Sequence, residues 1–324
     1  VLVDRSRDGF EGVIARARRR AFSRVYADLG AGAEDAAFIA GCGRSGTTWL
    51  AELLTLAGGS RYMFEPFHPV RSPLRRDFPA RLYLGAGDDE PEREAAARRV
   101  LAGGVRDMWI DQYNDRALPR KRVIKDVWSN LRLGWLKALA PRMPSVLVLR
   151  HPYPTVASQL RTGWDWHVEP DVFVDQPRLM ERHLAQFERS IRLAEPGLER
   201  HVVAWCIDAL VPLRELRPGD ARVVFYEHLV SHPDRELGSL FAFVGDALEP
   251  RVVEAAGRPS AMSRRGSAVV TGGDAVSSWT HRVSDRDLAI TLRILADFGL
   301  DALYGEGPMP LLDAGEDALT LPWR

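Results

Sequence analysis

Short apolar runs alternate with helix-spaced apolar positions along most of the chain. Residues 36–41 (AAFIAG) form an apolar run ending in glycine. Trp49, Leu50, Leu53, Leu54 and Ala57 then recur at helical spacing across 47–57, so a strand leading into a helix is predicted there. Residues 123–127 (VIKDV) predict another buried strand, and 131–139 a helix. The 145–149 run (SVLVL) suits a strand covered on both faces. Pro152 and Pro154 fit the first turn of a helix reaching about Arg161. Further helices are expected over 178–195, 201–216, 234–244 and 285–298, with a strand over 221–226 (ARVVFY). Strands separated by helices pair in parallel through crossovers. The expected fold class is therefore α/β, a three-layer sandwich around a central, mostly parallel sheet.

No internal repeat or low-complexity block interrupts this pattern. Residues 85–95 (GAGDDEPEREA) read as a loop entering an exposed helix, and 162–177 and 257–278 as loop-rich stretches. None of these divides two cores, so one domain is expected. Its core would span 36–305, with a helical extension at 1–30 and a tail at 306–324. Residues 5–24 place Arg5, Arg7, Arg16, Arg18, Arg19, Arg20 and Arg24 against Phe10, Val13, Ile14, Ala17 and Ala21. This amphipathic pattern suits a solvated helix packed on the domain, or one lying on a membrane surface.

Composition narrows the function. Hydrophobic residues make up 46% and charged residues 27%, which excludes wholesale disorder and fibrous architectures. Forty-four basic residues balance forty-four acidic ones, so no global field favours nucleic acid or an anionic membrane. Cys42 and Cys206 are the only cysteines, too few for a disulfide framework and without a CxxC pair for zinc. No segment approaches the roughly 20 apolar residues needed to span a bilayer. The first residues lack the apolar stretch of a secretion signal, and cytoplasm is the expected compartment. Lys121, Lys125 and Lys137 are the only lysines, so arginine supplies nearly all the positive charge.

The stretch Gly41-Cys42-Gly43-Arg44-Ser45-Gly46-Thr47-Thr48-Trp49-Leu50 follows a predicted strand and opens a predicted helix. Glycines there let the backbone approach an anion, and the helix N-terminus favours negative charge. Arg44 adds a cation, and Ser45, Thr47 and Thr48 add hydroxyl donors. Gly41 and Gly46 match the spacing GxxxxGK[ST], but Thr47 stands where the lysine belongs. An ordinary ATPase or kinase is therefore disfavoured.

This loop resembles the 5′-phosphosulfate loop of sulfotransferases that use 3′-phosphoadenosine 5′-phosphosulfate. Cytosolic members of that family carry lysine where Arg44 stands, and many carbohydrate and bacterial members carry arginine. Residues 146–158 (VLVLRHPYPTVAS) deliver Arg150 at a strand end and Ser158 inside the next helix. They resemble the family's 3′-phosphate site, although His151 replaces the aspartate common after the arginine. Arg264, Arg265 and Gly266, ahead of Trp279, are similar to a segment that closes over the 3′-phosphate. Residues 225–229 (FYEHL) also resemble the family, in a structural role.

The resemblance covers roughly residues 36–305. It implies the P-loop NTPase-like sulfotransferase fold and transfer of a sulfuryl group to a hydroxyl of a carbohydrate, lipid or other small-molecule acceptor. Release of adenosine 3′,5′-bisphosphate would follow, with no metal and no nucleic-acid partner. Arg44 and the N–H groups of residues 45–49 would stabilise the leaving phosphate. Ser45, Gly46, Thr47, Thr48, Arg150, Ser158, Arg264, Arg265 and Gly266 would hold the donor. Trp49 would either stack on adenine or pack in the core.

The acceptor needs a general base, and residues 63–68 (MFEPFH) offer Glu65 and His68. This stretch resembles the Phe-Glu-Pro segment of Golgi carbohydrate sulfotransferases and bacterial relatives. Apolar neighbours are expected to raise the Glu65 pKa toward neutrality, which favours it over His68. Lys125 would meet the transferring sulfuryl group or pair with a carboxylate. Trp164, Asp165, Trp166 and His167 would line the acceptor pocket or cap the core. Two other readings stand beside this one: a P-loop phosphotransferase, and an inactive nucleotide-binding module.

Overall fold

The computed structural model describes residue 17, residues 21–163, 165–259 and 273–313, residue 315 and residues 317–323. Most of the arginine-rich 5–24 stretch lies outside the described residues. So do Trp164 and the 263–267 segment with Arg264, Arg265 and Gly266.

Among the described residues, five strands form one wholly parallel sheet: β1 (Ala36–Gly41), β2 (Arg61–Phe64), β3 (Arg122–Lys125), β4 (Ser145–Leu149) and β5 (Arg222–Phe225). Their order is β2-β3-β1-β4-β5. The longer helices are α1 (Thr47–Gly58), α2 (Pro91–Leu101), α3 (Leu133–Leu139), α4 (Pro152–Leu160) and α5 (Leu198–Glu215). They continue as α6 (Tyr226–Ser231), α7 (Pro233–Phe243), α8 (Pro250–Ala256) and α9 (Asp285–Asp297).

Strand side chains alternate between faces, and both faces are buried. Phe38, Ala40, Ile124, Leu147 and Leu149 join one cluster with Val156 of α4, Val202 and Leu210 of α5, and Ile294 of α9. Ile39, Val123, Val146 and Val148 join a second with Leu50 and Leu54 of α1, and Leu240 and Phe241 of α7. These are the three layers that the alternating pattern predicts. Ala318 and Leu319, near the end of the chain, are buried in the first cluster.

Two elements depart from expectation. β2 escapes a reading of apolar runs because it is short and opens with Arg61. That guanidinium is fully buried, and its Nε meets Asp111 Oδ1 at 2.8 Å. Its NH1 donates to the Gly103 carbonyl at 2.7 Å and to Asp28 at 3.2 Å. Asp28 also holds Arg122, the first residue of β3, at 2.8 Å. Such partners make a buried charge tolerable, and none is near in sequence.

The helix expected over 178–195 is broken into short pieces, with a π turn at Met180–Leu184. The wider turn coincides with the placement of His183 against Glu215 and the Tyr83 hydroxyl, each at 3.1 Å.

The sheet order sets up the site. β1 lies between β3 and β4, with Ile39 paired to Lys125 and Gly41 to Val148. The loops leaving these three parallel strands therefore converge at their carboxyl ends, where ligands of open α/β sheets bind.

Candidate active site

The loop after β1 turns on two glycines. Gly41 has φ 148°, and a Cβ there would meet the Val148 carbonyl at 2.5 Å. Gly46 has φ 96°, and a Cβ there would meet the Tyr226 ring at 2.5 Å. The Gly41 N–H donates to Asn130 Oδ1 at 2.9 Å, which ties the loop to the segment after β3. Leu50 N–H donates to the Gly46 carbonyl at 3.0 Å, the first closed turn of α1. The N–H groups of Gly46, Thr47, Thr48 and Trp49 are thus the leading donors of the helix. The Ser45 N–H is spent inside the loop, on the Cys42 carbonyl at 3.1 Å. Ser45 Oγ is buried and has no hydrogen-bond partner among the described residues. Thr47 and Thr48 are buried as well. Trp49 packs edge-on to Tyr226, and its Nε1–H donates to the Ala256 carbonyl at 3.1 Å, so it sits in the core.

The segment carrying Arg150 and Ser158 abuts the glycine-rich loop. Arg44 Nε donates to Ser158 Oγ at 3.0 Å, and Arg150 NH1 donates to the Arg44 carbonyl at 3.2 Å. Gln159 Nε2 donates to the Gly43 carbonyl at 2.8 Å. The Arg150 guanidinium lies 4.2 Å from the centre of the Tyr226 ring.

His151 does local work that aspartate often does. Its Nδ1 accepts from the Tyr153 N–H at 3.2 Å and caps α4, and its other nitrogen faces the Gly305 carbonyl at 3.2 Å. Burial pushes its pKa down to about 4, so the ring is neutral at pH 7.

Glu65 lies just beyond β2, in the left-handed region with φ 44°. Its N–H donates to the Lys125 carbonyl at 2.7 Å, and Lys125 Nζ donates back to Glu65 Oε1 at 2.5 Å. Both side chains are nearly excluded from solvent. Glu65 therefore sits not among apolar groups alone but in an ion pair with the lysine that stood out by rarity.

His68 Nε2 is 3.9 Å from Glu65 Oε2, while Nδ1 accepts from the N–H groups of Val70 and Arg71 at 3.1 and 3.3 Å. Burial lowers the His68 pKa, against the pull of Glu65. Asp126 beneath them accepts from Phe67 N–H and Trp128 N–H, each at 2.8 Å. Burial, opposed by the charge of Arg132, raises it to about 6.

An aromatic wall leads outward from this pair. Trp109 Nε1 donates to the Glu65 carbonyl at 3.3 Å. The His68 ring lies 5.0 Å from that of Trp109 and 5.2 Å from that of Trp128. Trp166 stacks on Trp128 at 5.5 Å, and His167 meets both edge-on. Among the described residues, no three His, Cys, Asp or Glu side chains converge as a metal site.

A profile of the sulfotransferase family matches residues 36–250, well over half of the chain. The chain belongs to the sulfotransferase family. The nodulation protein NoeE of Sinorhizobium fredii (strain NBRC 101917 / NGR234) is 29% identical over 222 residues, 64% of this chain and 49% of its own length. The chain thus spans about half the length of that relative. Among solved structures, the sulfotransferase domain from the curacin biosynthetic pathway is 18% identical at a TM-score of 0.41, covering 84% of this chain and 99% of that one. Mouse sulfotransferase SULT7A1 complexed with PAP is 12% identical at a TM-score of 0.42, covering 87% and 88%.

Sequence reasoning missed several residues around this sulfotransferase's crevice. Trp109, Trp128 and Asn130 meet Glu65, His68 and Gly41 respectively, all far earlier in the sequence. Arg81 has a left-handed backbone, φ 59°, and joins buried Asp208 while its Nε donates to the His167 carbonyl at 3.3 Å. Asp208 in turn accepts from Cys42 Sγ of the glycine-rich loop at 3.4 Å. One guanidinium thus holds both the glycine-rich loop and the loop carrying Trp166. A rare residue type flagged Lys125, whereas arginine is too common here to flag Arg81.

Proposed function

We propose that this sulfotransferase moves a sulfuryl group from 3′-phosphoadenosine 5′-phosphosulfate to a hydroxyl of a small-molecule or carbohydrate acceptor. The observation that carries the reading is the junction of the glycine-rich loop with the segment that carries Arg150 and Ser158. Arg44 bonds Ser158 at 3.0 Å and Arg150 bonds Arg44 at 3.2 Å, with Glu65 just beyond β2 and Lys125 at the end of the adjacent β3. A donor bearing a 5′-phosphosulfate and a 3′-phosphate matches both elements, and ATP offers nothing to the second. The orphan hydroxyl of buried Ser45 also suits an anion.

The donor supplies an activated sulfuryl group on an anionic phosphate leaving group. The acceptor oxygen forms the new O–S bond as the S–O bond to that phosphate breaks, and Glu65 takes the hydroxyl proton. Arg44 and the leading N–H groups of α1 stabilise charge building on the departing oxygen. Arginine does not release a proton, and a phosphate leaving group needs none. Lys125 holds Glu65 in place and puts positive charge beside the transferring group.

With His68 Nδ1 bonded to the backbone, the proton of the neutral ring lies on Nε2, facing Glu65. His68 then has no lone pair to offer and acts as a positioning residue. Glu65 is the base in this reading.

Label transfer from the donor to a panel of hydroxylated acceptors tests it. The wild type transfers label, and Glu65→Gln lowers kcat about 10²- to 10⁴-fold while still binding adenosine 3′,5′-bisphosphate. Failure of the wild type to bind that nucleotide at millimolar concentration overturns the reading.

A further inference from the structure

We propose that the aromatic wall beside Glu65 is the acceptor subsite, and that it selects a ring-bearing alcohol or phenol carrying a negative charge. This rests on the sulfuryl-transfer reading, which it deepens by naming the acceptor's chemistry.

The wall is graded in exposure. Glu65 and Lys125 are sealed at its inner end, His68 is 16% exposed, and Trp166 is 51% exposed at its outer end. Trp109 and Trp128 fill the space between. Flat indole faces reward a flat partner, whether an aromatic ring or the C–H face of a pyranose. A ring laid along this wall brings a hydroxyl of the same molecule toward Glu65.

Charge supplies the second criterion. Glu65 and Lys125 neutralise each other, and His68 is held neutral by burial. Arg71, Arg75 and Arg76 are exposed on the loop that follows, and none of the three pairs with a carboxylate among the described residues. Arg71 lies 5.9 Å from the centre of the Trp109 ring, at the wall itself. An anionic group on the acceptor would meet the Arg71 guanidinium there.

Calorimetric titration without donor tests the proposal, using two matched pairs: phenol with 4-hydroxybenzoate, and methyl glucoside with methyl glucuronide. The expected result is that the charged member of at least one pair binds about tenfold or more tightly than the neutral member. The pair that binds identifies the ring as aromatic or saccharide. Arg71→Gln should erase the preference for charge, and Trp166→Ala should weaken the binding members of that pair about tenfold. Equal binding of charged and neutral members, or no binding by either pair, overturns the proposal, as does an unchanged Trp166→Ala.

Titration of adenosine 3′,5′-bisphosphate into the same proteins reports the donor site separately. If the nucleotide binds and no charged ring compound does, the acceptor proposal alone fails. If the nucleotide does not bind, the sulfuryl-transfer reading fails.

Discussion

Arg44, Glu65 and Arg81 have left-handed backbones without being glycine. Each such residue costs about 1–3 kcal/mol unless its surroundings hold it there. Arg44 is held by Ser158 and Arg150, Glu65 by Lys125 and Trp109, and Arg81 by Asp208 and Gln176. The first two were legible because local motifs name them. Arg81 was not, because what marks it is a backbone angle and a partner 127 residues away.

Arg44→Ala should lower the single-turnover rate more than it weakens donor binding, because charge on the leaving oxygen grows toward the transition state. A pure loss of affinity at an unchanged rate would contradict it. Arg81→Ala leaves the Asp208 carboxylate buried without its cation and should cost about 3–5 kcal/mol in urea unfolding. A loss under about 1 kcal/mol would show that Asp208 is held some other way.

At the scale of elements, the glycine-rich loop is the least forgiving piece. Gly46→Ala combines a positive φ with a Cβ 2.5 Å from the Tyr226 ring, so the loop must move away from α6. Nucleotide binding should be lost while the fold persists, as read by calorimetry beside circular dichroism. Retained binding would mean the loop geometry is not what holds the anion.

The strands at 36–41 and 145–149 were readable because apolar runs need burial on both faces. β2 was not, because Arg61 owes its place to Asp28 and Asp111. The pairing of Glu65 with Lys125 was equally hidden, since only the β2–β3 register, with Phe64 opposite Lys125, brings them together.

Across the whole molecule, three layers bury polar groups whose titration links stability to pH. His151 has a folded pKa of about 4, below the roughly 6.5 of an unfolded chain. Between those values the unfolded state takes up a proton that the folded state refuses. This group therefore removes stability as pH falls from about 6.5 to about 4, by up to about 3 kcal/mol. His151→Asn keeps a capping acceptor but does not titrate. The stability gap between wild type and this variant should narrow or reverse over that window in urea midpoints. A gap independent of pH would contradict the burial of a neutral ring.

The central claim is that one crevice holds both anionic ends of a single nucleotide. Calorimetry comparing adenosine 3′,5′-bisphosphate with 5′-AMP, on wild type and on Arg150→Ala, tests it most directly. The bisphosphate should bind at least about tenfold more tightly than 5′-AMP to the wild type, and Arg150→Ala should remove that difference. Equal binding of the two nucleotides by the wild type, or a preference that survives Arg150→Ala, would contradict it.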